Sequence, residues 1–595
     1  MMKGFVAAVF MMLAMSNLRA QNTGEGGLPD TGTIEILHSD NLFYESTPEG
    51  MLQRLTGHVK LLHDSTFMLC DSALILGKQV DARSHVVIIQ GDSTRIYADT
   101  TVYDGDRHQA DLYGKVVLQD KGQELFTRKL HYDLNTKIAH YDSSAVLTDG
   151  TTYLRSKKGT YYVAEDYVYF EDSVIVVDTS FLLQADSLKY NTREDRAYFV
   201  GPTLIDTDSS SIYCEGGWFD FPTRDALFTG HPVYQKAEQK AEADSILYLH
   251  DEGIITLTQN AVVVEPEKRA TAVWIQYNQR TKDIWMKGDA HYRAPGKEVD
   301  AEEIFYNSET EVLRTQGRSV VVDGSRTIRA ESMDYDKGTG MSIATGHVII
   351  VDTTDHYELH CDRVVHDKKT GFMKATGERP WMLQVSDGDS LFIGADTILS
   401  RQISETDTSR ILKAWHHVKM YSDDFQGLCD SLVWYEQDSS FELLQDPVLW
   451  SDTSQFLGDT IRIFVEHDAI QRVHQIKHAF IISTEEEVLF NQLKGREILT
   501  NFDQNQPKRS HITGNAEVVY YLVDDNGAYV AGNKTECSEM VIDFKDKKVD
   551  MIRFYKQPKG QMKPLKEKGV KEWRLEGFRW LVSRRPTSPE DVILK

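Results

Sequence analysis

Histidine, cysteine and carboxylate side chains are the groups in this sequence that could bind metal ions or catalyse reactions. Two local clusters of histidine are present, His356, His360 and His366 around Cys361, and His467, His474 and His478. Neither cluster has the spacing of a known ligand motif: His-Glu-x-x-His is absent, and a spacing of four aligns two ligands for one ion only on a helix, although in a strand His356 and His360 would share a face. We therefore predict no metal site and no cofactor.

The carboxylates are too regularly spaced to mark a catalytic pair. A phrase of small residue, acid, Ser or Glu, two variable residues and an aromatic recurs as ADSLKY at 185–190, ADSILY at 243–248 and AEEIFY at 301–306. The acids follow one another at one constant interval or at twice that interval, as in Asp186, Glu215, Asp244, Glu302 and Glu331. Nucleophile elbows and phosphate-binding glycine loops are also absent. We predict a protein that is not an enzyme, with a β-helical carbohydrate-active enzyme as the least favoured alternative.

The cysteines fit the same repeat. Four of the five occupy the small position immediately before the acid, where other units have alanine: Cys70, Cys214, Cys361 and Cys429. Equivalent positions of a stacked repeat lie several layers apart, so most of these thiols cannot reach one another. We predict small buried side chains and no disulfide framework.

The elements that position these residues are short strands. Each unit contains residue pairs of alternating apolar character, which predict one apolar face per strand. These pairs are Val59 and Leu61, Val86 and Ile88, Val116 and Leu118, Val174 and Val176, Val262 and Val264, and Val348 and Ile350. A period of about 29 residues is typical of stacked arrays, in which one unit cannot bury its apolar face alone. The sequence therefore predicts an all-β repeat protein.

Four regions follow from these patterns. Residues 1–20 read as a signal peptide, whose apolar run from Phe5 to Met15 is too short to span a bilayer. Residues 21–33 are predicted to be a flexible segment, 34–480 the repeats, and 481–595 a β-rich capping or docking region. The protein is thus expected to be exported to the periplasm, with association with the outer membrane left open.

The charge excludes one class of partner. The net charge of −25 becomes −27 once residues 1–20, with Lys3 and Arg19, are removed. Nucleic acid is therefore not expected to bind. The regularly spaced acids are expected to form a ladder along an outer edge; a solvated ladder is favoured over one that binds calcium.

Units of the form Gly-x-Val-x-apolar followed by Ala-Asp-x-Leu-x-Tyr resemble the OstA/LptA family, and most closely its long OstA-like members in Bacteroidota. Residues 514–560, 577–580 and 585–591 resemble the C-terminal segment of those proteins. The resemblance implies an elongated, twisted β-jelly roll around an apolar groove. It also implies transport of lipopolysaccharide between the inner and outer membranes.

Lipid A acyl chains are the ligand implied for the groove, and the six apolar pairs named above are its candidate lining residues. A closed core formed by the same rows is the alternative, and would suit a structural or adhesive protein of the cell envelope. Open jelly rolls leave strands unpaired at their ends, and such edges accept strands from other chains. We expect the edge starting near 34–37 and the C-terminal end to dock to jelly-roll modules of inner-membrane and outer-membrane transport proteins, or head-to-tail to a second copy.

Overall fold

The computed structural model describes residues 32–386, 389–403, 409–466, 469–524, 527–545 and 548–594. The predicted signal peptide and most of the predicted flexible segment lie outside these residues. The chain divides into a first unit, Met1–Asp195, and a second unit, Arg196–Lys595. Within the described part of the chain there are 44 strands, which confirms the all-β prediction.

The first unit contains the first 14 strands. They are β1, Glu35–His38; β2, Asn41–Thr47; β3, Gly50–His63; β4, Thr66–Leu76; β5, Gln79–Gln90; β6, Thr94–Asp104; β7, Gln109–Asp120; β8, Gln123–Asp133; β9, Ile138–Tyr141; β10, Ala145–Thr148; β11, Tyr153–Ser156; β12, Lys158–Tyr162; β13, Tyr167–Val177; and β14, Leu182–Asn191. A 3-10 helix, Val163–Glu165, connects β12 to β13.

The second unit contains the remaining strands and the other helices. Its strands up to residue 402 are β15, Arg196–Asp206; β16, Ser211–Asp220; β17, Ala226–Thr229; β18, Val233–Lys236; β19, Gln239–Glu242; β20, Ser245–Leu249; β21, Ile254–Glu265; β22, Lys268–Asn278; β23, Asp283–Ala294; β24, Lys297–Asn307; β25, Val312–Asp323; β26, Arg326–Asp336; β27, Met341–Asp352; β28, Tyr357–Asp367; β29, Phe372–Thr376; β30, Trp381–Ser386; β31, Asp389–Gly394; and β32, Thr397–Gln402.

The second unit continues with longer strands near its C-terminal end. These are β33, Arg410–Tyr421; β34, Phe425–Tyr435; β35, Ser440–Leu444; β36, Val448–Ser451; β37, Ser454–Leu457; β38, Thr460–Glu466; β39, Ala469–Ser483; β40, Asn491–Asp503; β41, Gln506–Val523; β42, Tyr529–Lys545; β43, Lys548–Tyr555; and β44, Lys559–Pro564. Three 3-10 helices, Glu436–Asp438, Val570–Glu572 and Val582–Arg584, and the α-helix Pro589–Ile593 (α1) complete it. Helices among the described residues are too short and too polar to cross a bilayer.

Strands that follow one another in sequence pair side by side and antiparallel. From β3 to β8 each full-length strand pairs with the preceding and the following one. Further along, two short strands share a layer, as when β9 and β10 both pair with β8. One repeat of the sequence, about 29 residues, therefore corresponds to two layers of the sheet.

A β-bulge interrupts most of the long strands near their middle. In β3 the register shifts between Thr56 and Val59, because Gly57 and His58 both adopt left-handed backbone conformations with φ of 76° and 46°. Later strands repeat this at positions such as Gly346 and His347 in β27. Extra residues of this kind bend a strand sharply.

At the bulges the sheet of each unit folds into two halves. We call each half of the sheet a half-ladder. His63 ends β3, whereas Tyr103 lies near the end of β6, which runs the opposite way, yet His63 Nδ1 lies 2.6 Å from the Tyr103 hydroxyl. A straight strand of eleven residues would hold such ends roughly 36 Å apart. Two half-ladders must therefore face each other, joined at the bulges, as the jelly-roll prediction requires.

The regularly spaced acids support the bend from outside. A Cβ added at Gly346 would lie 2.7 Å from Cβ of Glu331, and Glu331 accepts a hydrogen bond from His347 at 3.0 Å. Glycine is thus needed at this bulge both for its positive φ and for the space that the acid occupies. Glu331 remains 66% exposed, so the predicted ladder of acids is found on the outside of the bend.

Turns at one end of the strands stack on one another. The backbone N–H groups of Leu134, Val163 and Thr192 donate to carbonyls of His108, Lys137 and Asp166 at 2.9, 3.1 and 2.9 Å. The three donor residues follow one another at the same interval as the acids of the sequence repeat, and so do the three acceptor residues. The sequence repeat therefore corresponds to the step between successive stacked turns.

A segment after β44 runs back over the outer face of the second unit. We call residues 565–594 the C-terminal strap. It contacts β41, β40, β37 and β34 in turn, and its last helix contacts β31 and β33. Its apolar side chains cover an outer cluster that includes Trp450, which is 1% exposed, and Tyr521, also 1% exposed.

Candidate functional site

A continuous row of apolar side chains lines the inside of the first unit. Cross-strand pairing places one residue per layer in register, and each is 5% exposed or less. We call this the first inner row: Leu61, Met68, Ile88, Ile96, Leu118, Leu125, Leu147, Leu154, Val176 and Leu183. At about 4.8 Å per layer, ten positions extend over roughly 43 Å.

Four of the predicted residues, Leu61, Ile88, Leu118 and Val176, belong to this row. The other four predicted residues of this unit lie beside the row, at the bend. Val59, Val86, Val116 and Val174 each follow a bulge directly and are at most 1% exposed. They are opposite small residues, for example Val59 opposite Cys70 and Val86 opposite Ala98. All five cysteines are buried and free, and the burial of Cys70, Cys214, Cys361 and Cys429 confirms the prediction made for the small position.

The second unit has a corresponding row. In register, from β21 to β33, it comprises Val263, Ala270, Tyr292, Val299, Val321, Ile328, Ile350, Leu359, Met382, Ile393 and Met420, the second inner row. The predicted Ile350 belongs to it, and the predicted Val348 lies at the bend of the same strand, 1% exposed.

Val262 and Val264 lie on the opposite, outer face of β21. The bulge of this strand is formed by Gln259 and Asn260, so Ala261 is the first inward residue and Val263 the next. The row that contains Val262 continues through Thr271, His291 and Asp300, which is polar. The sequence alone does not reveal which of these residues face inward, because every residue from 261 to 264 is apolar.

Polar contacts close the mouth of the first unit, where the two half-ladders meet opposite the bend. Tyr132 donates its hydroxyl hydrogen to Gln90 Oε1 at 2.7 Å, and Gln90 Nε2 donates to the Leu134 carbonyl at 2.6 Å. Lys121 pairs with Asp166 at 2.6 Å, and this hydrogen bond raises the pKa of Lys121. The first inner row is consequently sealed from solvent.

A tyrosine column marks this mouth in both units. Tyrosines that recur at the interval of the sequence repeat are almost fully buried in the first unit, with exposures of 3, 0, 1 and 1%: Tyr103, Tyr132, Tyr161 and Tyr190. Burial raises the pKa of all four hydroxyls. The second unit has a corresponding column of its own, Tyr248, Tyr277, Tyr306 and Tyr335, whose members are only half-buried.

The mouth of the second unit between β20 and β27 is held by rings instead of hydrogen-bonded pairs. Tyr292 and Tyr306 each lie near the C-terminal end of their strand, and because β23 and β24 are antiparallel they belong to opposite half-ladders. Their ring centroids are nevertheless only 6.0 Å apart. The Lys297 ammonium lies 5.3 Å from the centroid of the Tyr335 ring, and burial lowers the pKa of Lys297. Inner-row positions Val263, Ala270 and Ile328 are half-buried here, so solvent reaches part of this interior.

The predicted histidine clusters are dispersed into separate local contacts. His360 stacks on Trp381 with centroids 3.8 Å apart, whereas burial lowers the pKa of His366 on the inner side. His478 binds Asp459 at 2.9 Å at a bend, and His474 lies 3.6 Å from Glu497. His467 lies outside the described residues.

Both ends of the strand order present unpaired edges among the described strands. In the first unit β2 pairs only with β3 and leaves Phe43 and Tyr44 59% and 62% exposed. In the second unit β44 pairs only with β42 and leaves Met562 61% exposed. Edges of this kind offer free backbone N–H and C=O groups to another strand.

Bent strands stacked around an apolar interior define a repeat-built β-jelly-roll protein. Residues 31–186 match the family described as OstA-like protein, and residues 153–272 match the family described as LptA/(LptD N-terminal domain) LPS transport protein. Residues 31–272 of the chain are therefore similar to OstA-like and LptA-type proteins. No curated protein sequence matches the chain.

One similar solved structure is LptH, the LptA homologous periplasmic component of the conserved lipopolysaccharide transport device from Pseudomonas aeruginosa. It is 16% identical, and the match covers 20% of this chain and 82% of that chain. The TM-score of 0.18 is too low to support an argument about this protein.

Proposed function

We propose that this protein binds lipopolysaccharide in the periplasm and carries it between the inner and outer membranes, without catalysing a reaction. The observation that carries the proposal is the registered apolar row inside each unit, in a chain that matches OstA-like and LptA-type families. Burial of each acyl methylene contributes about 0.8 kcal/mol, so a row of this kind can hold acyl chains without charge pairing.

The half-open interior between β20 and β27 is the place we propose for the acyl chains to enter. Stacked rings such as Tyr292 and Tyr306 separate without leaving buried hydrogen-bonding groups unpaired. Opening the first unit would instead leave Gln90 and Tyr132 without their partners, at a cost of about 1–3 kcal/mol for each such group. Lipid would then slide along neighbouring, similar positions.

Site-specific photo-crosslinking in cells tests this function. A benzophenone amino acid at Val263, on the inner row, is expected to give lipopolysaccharide adducts. The same probe at Val262, on the outer face of the same strand, is the matched control and should give none. Equal labelling at both positions, or no adduct at Val263 and Ile328, would contradict the proposal.

Depletion of the protein gives a second, independent test. A transport role predicts that newly made lipopolysaccharide accumulates at the inner membrane, and fractionation should find the protein in the periplasm or with the outer membrane. Normal delivery of lipopolysaccharide after depletion would argue against transport.

We further propose that the terminal edges dock by strand addition to jelly-roll modules of membrane transport partners, or to a second copy head-to-tail. Replacing Phe43 and Tyr44 by aspartate should abolish such association in pull-down and sedimentation experiments. Val177→Asp, at an apolar residue 48% exposed away from the edges, is the control. Unchanged association of the edge variant would contradict docking through β2.

A structural or adhesive role in the cell envelope is the second candidate. It is favoured by one observation, the closure of the first inner row, every member of which is at most 5% exposed. In that case crosslinking from the second unit would capture no lipid, and depletion would alter envelope integrity without trapping lipopolysaccharide.

A further inference from the structure

Three side chains capable of binding a metal ion converge at the mouth of the first unit. His63 and Asp64 lie at the hairpin between β3 and β4, and His108 lies in the turn between β6 and β7. One ligating atom from each residue lies within 4.8 Å of the other two. His108 Nε2 is already 2.9 Å from Asp64 Oδ2, and the two imidazole rings are stacked with centroids 4.8 Å apart.

His63 points independently to a missing ligand. Its side chain is 5% exposed, and its Nε2 is buried without a hydrogen-bond partner. Its other nitrogen, Nδ1, is engaged by the Tyr103 hydroxyl at 2.6 Å. This is the usual arrangement of a metal-binding histidine, in which a polar partner fixes the ring through the nitrogen that does not bind the metal.

We propose that His63, Asp64 and His108 form a binding site for a divalent transition-metal cation of the zinc type. Two imidazoles and one carboxylate suit zinc, and a water molecule would complete a tetrahedral shell. Calcium and magnesium, which prefer six or more oxygen ligands, do not suit this set. The site goes beyond the proposed function and does not depend on it.

Binding requires a local rearrangement that the surroundings permit. Tetrahedral zinc ligands at about 2.0 Å lie roughly 3.3 Å apart, so no gap between the ligating atoms need shorten by more than about 1.5 Å, and the stacked rings must tilt. Asp64 and His108 are 42% and 26% exposed and lie in turns, where their side chains can rotate. Buried His63 would remain the fixed ligand.

The bound ion would act as a clamp. His63 and Asp64 belong to one half-ladder and His108 to the turns of the other, so the ion would join opposite sides of the mouth near its N-terminal end. The hydrogen bond between His63 and Tyr103 already crosses there. The metal would thus hold the first layers closed next to the exposed edge strand β2.

Titration of the mature chain, prepared without a histidine tag, tests the site. Isothermal titration with ZnCl2 should show one site of micromolar or tighter affinity, and Co2+ should give the visible absorption of tetrahedral coordination. Asp64→Asn and His108→Gln should each weaken binding at least tenfold. His85→Gln is the matched control, because His85 forms a similar pair with Asp71 at 2.7 Å but is not part of a three-ligand group among the described residues.

Two outcomes would overturn the proposal. Absence of stoichiometric Zn2+ or Co2+ binding by the wild-type chain is one. Binding that persists unchanged in both Asp64→Asn and His108→Gln is the other. His63→Gln is a third variant, whose circular dichroism must match the wild type before its loss of binding is counted, whereas the less buried Asp64 and His108 test the site without that condition.

Discussion

At the scale of residues, the repeat is explained by the contact between an outer acid and a bulge. Sequence spacing predicted the acids and the small buried cysteines, because both recur at fixed positions of the repeat unit. It did not predict which residues of β21 face inward. The bulge at Gln259 and Asn260, both in the left-handed conformation, determines which of these residues face inward. The sequence does not reveal this, because residues 261–264 are all apolar.

Replacing a bulge glycine tests this explanation. Gly346→Ala should destabilise the protein by about 2 kcal/mol, from a left-handed backbone and from crowding against Glu331. Gly324→Ala is the control, since Gly324 has φ of 61° but no atom within 4 Å of the added Cβ, and should cost about 1 kcal/mol. Urea unfolding measures both; an equal cost for the two would refute the role given to Glu331.

The histidines at the bends predict a dependence on pH. The hydrogen bond with Asp71 raises the pKa of His85. A pKa raised on folding means that the protonated imidazole stabilises the fold, fully so below the unfolded-state pKa, and that this contribution is lost as the pH rises through the folded-state pKa. NMR titration should show the raised pKa of His85, and Asp71→Asn should return it towards its ordinary value.

At the scale of elements, the C-terminal strap is fixed by buried glutamines that reach its backbone. Gln492 is fully buried; it accepts from the Leu575 N–H at 2.7 Å and donates to the Trp573 carbonyl at 2.8 Å. Gln455 does the same with Leu581 and Arg579, at 2.8 and 2.7 Å. Each side-chain amide thus substitutes for a strand partner that the strap lacks.

Removing one of these amides should loosen the strap. Gln492→Ala leaves the Leu575 N–H without its partner, whereas the Trp573 carbonyl keeps a hydrogen bond from Arg574 at 2.9 Å; the loss should cost about 1–3 kcal/mol and speed proteolysis within residues 565–594. Gln506→Ala, at an exposed position of β41, should change neither the stability nor the cleavage rate. Identical cleavage of the two variants would show that the glutamine does not hold the strap.

Strands were predictable from the sequence, whereas the contacts across the mouth were not. Apolar alternation is a local signal, and it predicted the strands correctly. The partners Gln90 and Tyr132 are 42 residues apart and meet only because the ladder folds at its bulges. Tyrosine recurring once per repeat was a usable signal for this mouth. The strap was not predictable, because its glutamine partners show no sequence pattern.

At the scale of the whole molecule, the two units differ in how their interiors are closed. The first inner row is sealed by hydrogen bonds and an ion pair, and the second is partly open behind tyrosine rings. Sequence repeats make the units look alike. Only side chains at the strand ends distinguish the sealed interior from the partly open one.

Linking the mouth of the second unit should test this difference. In a Tyr292→Cys, Tyr306→Cys variant, a short bis-maleimide should join the two half-ladders and strongly reduce lipopolysaccharide crosslinking from Val263. Treatment with a monofunctional maleimide, which modifies the same cysteines without joining them, is the control. Undiminished crosslinking in the linked protein would show that lipid reaches the row by another route.

The strap also sets an order of events during synthesis. It follows in the chain every strand that it covers, from β34 to β42. The outer face around Trp450 and Tyr521 must therefore emerge while the segment that shields it is still being made. For that interval the nascent chain exposes an aromatic surface.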